Sequence, residues 1–156
     1  MKPIVRCPTR GVRQRRLAML LSSLPSHPCG DVELEQYSTS GNVAASWLAQ
    51  IAAFGDLNEN SVVVDLGAGN GILGIGAALM GAAHVVLIEV DEKACSAAFE
   101  AIEAVGVENT VEVICKNVDS SVDIAGAGVV ISNPPWGVQK EKADRPFLEL
   151  MLRSGA

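Results

Sequence analysis

SVVVDLGAGNGILG, residues 61–74, runs from β-branched apolar residues through an aspartate into alternating glycines, then out into a second apolar stretch. Its first part, 61–67, reads as a short buried strand, because an unbroken apolar run of this length suits a strand covered on both faces. ILGIGAALMG, residues 72–81, follows as a helix closed by Gly81. Strand, glycine turn and helix in that order begin a parallel α/β sheet. The glycines themselves admit more than one reading. Gly69, Gly71 and Gly74 satisfy GxGxxG, the dinucleotide fingerprint, with Glu89 twenty residues beyond Gly69 to hold a ribose. Asp65, Gly67, Gly69 and Gly71 equally satisfy DxGxGxG, where an acidic residue ends the strand and missing side chains let backbone approach a ligand closely. Tight strand–helix packing without any ligand is the third reading.

Outward from this stretch the alternation continues. Val43, Trp47, Ile51 and Phe54 share a helical face, with Thr39 or Ser40 as N-cap and Gly55 after the end. HVVLIEV at 84–90 is a second strand, and EKACSAAFEAIEAVG is a helix ended by Gly106, with Asp91 as its cap. TVEVICKNV at 110–118 and GVVIS at 128–132 are a third and a fourth strand, and a helix spans 145–153. Such a βαβαβ order calls for parallel strands with right-handed crossovers, hence a doubly wound sheet with ligands at the carboxyl ends of its strands.

Composition sets outer limits. With 156 residues, 49% of them hydrophobic and 19% charged, the chain reads as a globular domain with a substantial core. No apolar run approaches the roughly 20 residues of a membrane-spanning helix. Cys7, Cys29, Cys95 and Cys115 form no CxxC pair, and His27 and His84 stand apart from them, so neither a zinc site nor a disulfide is expected, as suits a reducing cytoplasm. Charge is segregated. Lys2, Arg6, Arg10, Arg13, Arg15 and Arg16 are half of the 12 cations, and no carboxylate precedes Asp31. A basic helical arm over 1–33 on an acidic body, 34–156, is one footprint of nucleic-acid contact, and a solvated basic helix without a partner is the other reading. Within that arm Val12, Leu17, Leu20, Leu21 and Leu24 fit one face of a helix stopped at Pro25, and the apolar run is too short and too interrupted by Ser22 and Ser23 for a secretory signal.

Three further stretches lie at strand ends. Glu89 can accept hydrogen bonds from both hydroxyls of a ribose, and Asn117 can meet an adenine edge, its amide serving as donor and acceptor. VVISNPPWGV, residues 129–138, carries Asn133, Pro134, Pro135 and Trp136 past the fourth strand. Two prolines end a strand because neither can donate to the ladder, so a plain terminator would also explain them.

Asn133-Pro134-Pro135-Trp136 together with DxGxGxG resembles the amino-methyltransferases, which modify exocyclic nitrogens of nucleobases or a glutamine amide. LEQYSTSGNVAASWL, residues 34–48, and ADRPFLELML, residues 143–152, are similar to segments of the small-subunit ribosomal RNA adenine-N6 methyltransferases of archaea and eukaryotes. The resemblance implies a Rossmann-like S-adenosylmethionine-dependent methyltransferase fold, here without its C-terminal strands, and displaces the dinucleotide reading. It implies that Gln36, Tyr37 and Thr39 close over the cofactor, that Asp65, Gly67, Gly69, Gly71, Glu89, Asn117 and Asn133 hold it, and that Asn133 to Trp136 are catalytic, with no metal. RNA is the implied partner, together with a small zinc-binding activator protein. Trp136 in place of phenylalanine keeps a stacking surface, Asn117 stands where aspartate is usual, and Ser38 replaces a proline. Glutamine methylation of a protein, or a non-catalytic binding remnant, are the rival expectations.

Overall fold

The computed structural model describes residues 13–26, 39–134 and 144–155. Nine elements follow in order: α1 (Gln14–Ser22), α2 (Gly41–Ala53), β1 (Val62–Leu66), α3 (Ile72–Leu79), β2 (His84–Glu89), α4 (Glu92–Val105), β3 (Val111–Cys115), β4 (Val129–Ser132) and α5 (Arg145–Ser154). All four strands are parallel in the order β3-β2-β1-β4. Chain order thus runs outward from β1 to one side through β2 and β3, then returns to place β4 on the other side. The switch falls between β1 and β4, where such sheets bind ligands.

Alternation along the strands sorts their side chains onto two faces. Val63 of β1 and Val85 and Leu87 of β2 point to one face and join Leu17, Leu21, Leu48, Ile75 and Ala98 in one core cluster, with Asp65 buried on the same side of β1. Val64, Leu66 and Ile88 point to the opposite face and pack with Val118, Val122, Ile124 and Leu150. Leu17 and Leu21 are fully buried, so α1 packs into the same core as the sheet; the expected boundary near residue 33 lies outside the described residues. Leu48→Ala would cost about 2–5 kcal/mol on the usual scale for a buried leucine.

Local signals account for the element ends. Ser40 caps α2 by accepting from Val43 N, and Asp91 caps α4 by accepting from Lys93 N. Gly106 ends α4 in the left-handed region at φ 71°. The third strand is shorter than the expected 110–118: β2 ends at Glu89, and past Cys115 the ladder continues only as the Lys116 N–H to Glu89 carbonyl bond. No helix among the described residues is long and apolar enough to cross a membrane.

One expectation fails. Cys95 and Cys115 are joined as a disulfide, their Cα atoms 6.3 Å apart. The crossover that lays α4 against β3 brings together two cysteines 20 residues apart, a pairing that no local spacing pattern reveals.

Candidate cofactor and amine site

Past Leu66 the chain must turn sharply across the end of β2, and the glycines make the turn possible. Gly67, Gly69 and Gly71 take φ of 68°, 58° and 80°, the left-handed region where a side chain would be strained. Gly67 N and Ala68 N both donate to the Ile88 carbonyl, at 2.8 and 3.0 Å, which lays the loop over β2. Gly74 serves a different need. A Cβ there would collide with Leu87 of β2, so its missing side chain lets α3 lie directly on the sheet.

Two carboxylates hold this turn. Glu89, 7% exposed, accepts from Gly69 N at 2.7 Å through Oε2, and from Val90 N and Asp91 N at 2.8 and 2.9 Å through Oε1. It therefore ties the loop after β1 to the loop after β2. A carboxylate offers about four lone-pair sites, so Glu89 keeps about one for a ligand hydroxyl rather than two. Asp65, 1% exposed, accepts from Gly74 N at 2.9 Å through Oδ2, while its buried Oδ1 has no hydrogen-bond partner. Burial pushes the Asp65 carboxyl up to about 7, with the Gly74 hydrogen bond opposing and the Glu89 charge adding to the rise. A cation arriving at this corner would be met by a carboxylate that gains from it.

The second strand end faces the first across the β1–β4 pair, where Leu66 registers with Ser132. Ser132 Oγ donates to the Leu66 carbonyl at 2.7 Å and pins the two ends together. Half-buried Asn133 follows, and its Nδ2 donates to Thr39 Oγ1 at 3.0 Å. With the nitrogen so engaged, the amide presents its oxygen as the acceptor. Thr39, expected over the cofactor, is thus hydrogen-bonded to Asn133. Asn117 is exposed beyond β3, and half-buried Pro134 follows Asn133. Gln36, Tyr37, Pro135 and Trp136 lie outside the described residues.

Three contributors carried no legible signal. Asn70, in the middle of the glycine turn, donates through Nδ2 to the Pro25 carbonyl at 2.8 Å and so joins the loop to the segment after α1. Ser132 looks like an ordinary strand residue in sequence. Phe147 of α5 lies over Gly67, close enough that a Cβ there would be 2.8 Å from its ring, and so covers the turn from the opposite face. Among the described residues no group of three or more histidines, cysteines and carboxylates is placed to hold a metal ion.

The profile of the methyltransferase small domain matches residues 48–155, the span that holds the glycine turn, Glu89 and Asn133. The chain belongs to that family. A Pyrococcus horikoshii protein proposed to be an RNA methyltransferase, PH1948, has a similar crystal structure, with TM-score 0.80 and 38% identity over 92% of this chain and 66% of its own. The rRNA N(6)-adenosine-methyltransferase METTL5 of Danio rerio is 35% identical over 76% of this chain and 58% of its own length. An RNA methyltransferase from Salinibacter ruber, solved with S-adenosyl-L-homocysteine, matches with TM-score 0.51 and 31% identity over 56% of each chain. The chain thus spans about three fifths of the length of these relatives. Its fold is the Rossmann-like one of S-adenosylmethionine-dependent methyltransferases.

The residues of this methyltransferase small domain fit that cofactor. Three glycines leave backbone bare at the turn, Glu89 keeps acceptor capacity for a ribose hydroxyl, and the orphaned Oδ1 of Asp65 awaits a donor such as an ammonium group or a bridging water.

Proposed function

We propose that this chain is the core of an S-adenosylmethionine-dependent RNA methyltransferase that modifies adenine N6, with small-subunit rRNA as substrate. The observation that carries the reading is the orientation of Asn133: it stands beside the glycine turn at the switch in strand order, its nitrogen held by Thr39 and its oxygen left to accept. The likeness to METTL5 and PH1948 supports RNA and adenine over other substrates.

An adenine N6 lone pair is delocalised into the ring and is a poor nucleophile. Asn133 Oδ1 accepts one N6 hydrogen, and the Pro134 carbonyl the other, which turns the lone pair out of the ring plane. Two prolines in succession restrict the backbone before the substrate arrives, so little entropy is lost in making that grip. Trp136 stacks on the base once it leaves its helix. S-adenosylmethionine, when bound, supplies a methyl group already activated on a sulfonium. Asp65 and Glu89 fix its position from the other side of the switch, and the proton lost from N6 passes to solvent.

Incubating the protein with tritium-labelled cofactor and small-subunit rRNA tests this. Label should enter RNA and release N6-methyladenosine on nucleoside digestion. Asn133→Ala should lower the rate about a hundredfold, as expected when one acceptor is removed from a transition-state grip. Label recovered in peptides, or a rate untouched by the substitution, would overturn the reading.

A further inference from the structure

Helix α1 carries cations at the end where a helix tolerates them least. Arg13 at its N-cap, with Arg15 and Arg16 in the first turn, sets three positive charges against the positive end of the macrodipole, and no acidic residue shares that turn. All three are exposed. Among the described residues the ion pairs join His84 to Glu112 and Arg145 to Glu149, so none neutralises these arginines. The arrangement costs the helix stability unless an anion comes to it.

Arg15 lines a groove of about 820 Å³ between α1 and α2, with Gln14, Met19, Ser22 and Ser23 on the same side and Asn42 on the other, and Arg13 and Arg16 stand on the same turn of α1. Ser22 and Ser23 hydroxyls donate to the Ala18 and Leu20 carbonyls at 2.7 Å each, so toward the groove they are acceptors. The amides of Gln14 and Asn42 can donate. Asn42 also lies three residues along the chain from Thr39, the partner of Asn133. Gly41, beside Asn42, lies so close to α1 that a Cβ would be 2.6 Å from Ser22 N and 2.8 Å from the Ala18 oxygen. Thr39, two residues earlier, takes the hydrogen bond from Asn133. Elsewhere the chain is acidic: half of the 12 cations lie before residue 17, and none of the 18 carboxylates lies before Asp31.

We infer that this groove is the track of the RNA strand that leads into the site, an inference that rests on the proposed activity. Phosphates lie along Arg13, Arg15 and Arg16, with Gln14 and Asn42 donating to their oxygens. Ser22 and Ser23 accept from ribose 2′-hydroxyls, which gives the groove a preference for ribose over deoxyribose. The acidic body repels the strand everywhere else and so sets its course.

The test is fluorescence anisotropy of a labelled single-stranded RNA of about 20 nucleotides, and of DNA of the same sequence, with the full chain across a salt series. Replacing Arg13, Arg15 and Arg16 together by Gln should weaken RNA binding at least about tenfold and flatten the salt slope by about 2. Asn42→Asp should weaken it several-fold. Asn109→Asp, an equal charge change on the exposed turn before β3 at the far end of the sheet, should leave it unchanged. Unaltered S-adenosylhomocysteine affinity by calorimetry shows that each variant is folded. If the wild type binds RNA and the triple variant binds it with the same slope, or if Asn42→Asp and Asn109→Asp weaken it equally, the groove is wrong and the proposed activity stands. If the wild type binds phosphatidylserine vesicles and no RNA, both fall.

Discussion

At the carboxyl end of β1 the site is held by backbone: three N–H groups converge on Glu89, another on Asp65, and two more on the Ile88 carbonyl. At the end of β4 it is held by side chains, Ser132 reaching the Leu66 carbonyl and Asn133 reaching Thr39. The first corner is built within one βαβ unit, and the second draws on segments 66 and 94 residues apart. Backbone wiring gives a fixed cradle for an invariant cofactor. Side-chain wiring leaves the Asn133 amide adjustable one hydrogen bond at a time. The two corners should therefore fail differently.

The largest effect belongs to the cradle and depends on pH. The Asp65 carboxyl titrates at about 7 in the fold and at its ordinary 3.8 when unfolded, so the folded chain binds the extra proton between those values. The contribution is fully present below pH 3.8 and is lost as pH rises through 7. Over that window the stability of the wild type should fall relative to Asp65→Asn by up to about 4 kcal/mol, measured by urea unfolding at successive pH values. A difference independent of pH would show that Oδ1 is not isolated. Next comes Glu89→Ala, which strands three backbone donors. It should lower stability by about 2–4 kcal/mol and abolish cofactor binding, read by melting and by calorimetry with S-adenosylhomocysteine. If binding survives, the cradle does not depend on its backbone ties.

The smallest effect should appear at the amine corner. Thr39→Val keeps the shape and removes the acceptor for Asn133, which costs stability only about 0.5–1.5 kcal/mol. Turnover should drop about tenfold while cofactor affinity stays the same. A matching loss of cofactor affinity would return Thr39 to the cofactor side and dissolve the contrast between the corners.

That contrast also explains what could be read in advance. The β1 corner was legible because local pattern specifies it: alternating glycines require positive φ, a short β-branched run must be buried, and Asp91 before a helix is a cap. The same logic brought out the α/β alternation, while the strand order that puts the switch between β1 and β4 came only with the structure. The β4 corner was legible only as a motif. The resemblance implies Thr39 over the cofactor, and nothing in its neighbours shows the bond it accepts from Asn133 at the end of another strand. Phe147 over Gly67 and the pairing of Cys95 with Cys115 were hidden for the same reason, since each depends on how a helix lands on the sheet. The third strand was read to 118, but β3 ends at Cys115 opposite Glu89, the last residue of β2, so Asn117 lies two residues beyond the ladder.

The Asn70 bond to the Pro25 carbonyl ties the glycine turn to the segment that follows α1. Any shift of the helix must either break that strut or carry the turn with it. A polyanion that draws on the arginines of α1 therefore pulls on the cradle, and a ligand that settles the cradle stiffens the helix in return. By the reciprocity of linked binding, each would change the other's affinity by the same factor.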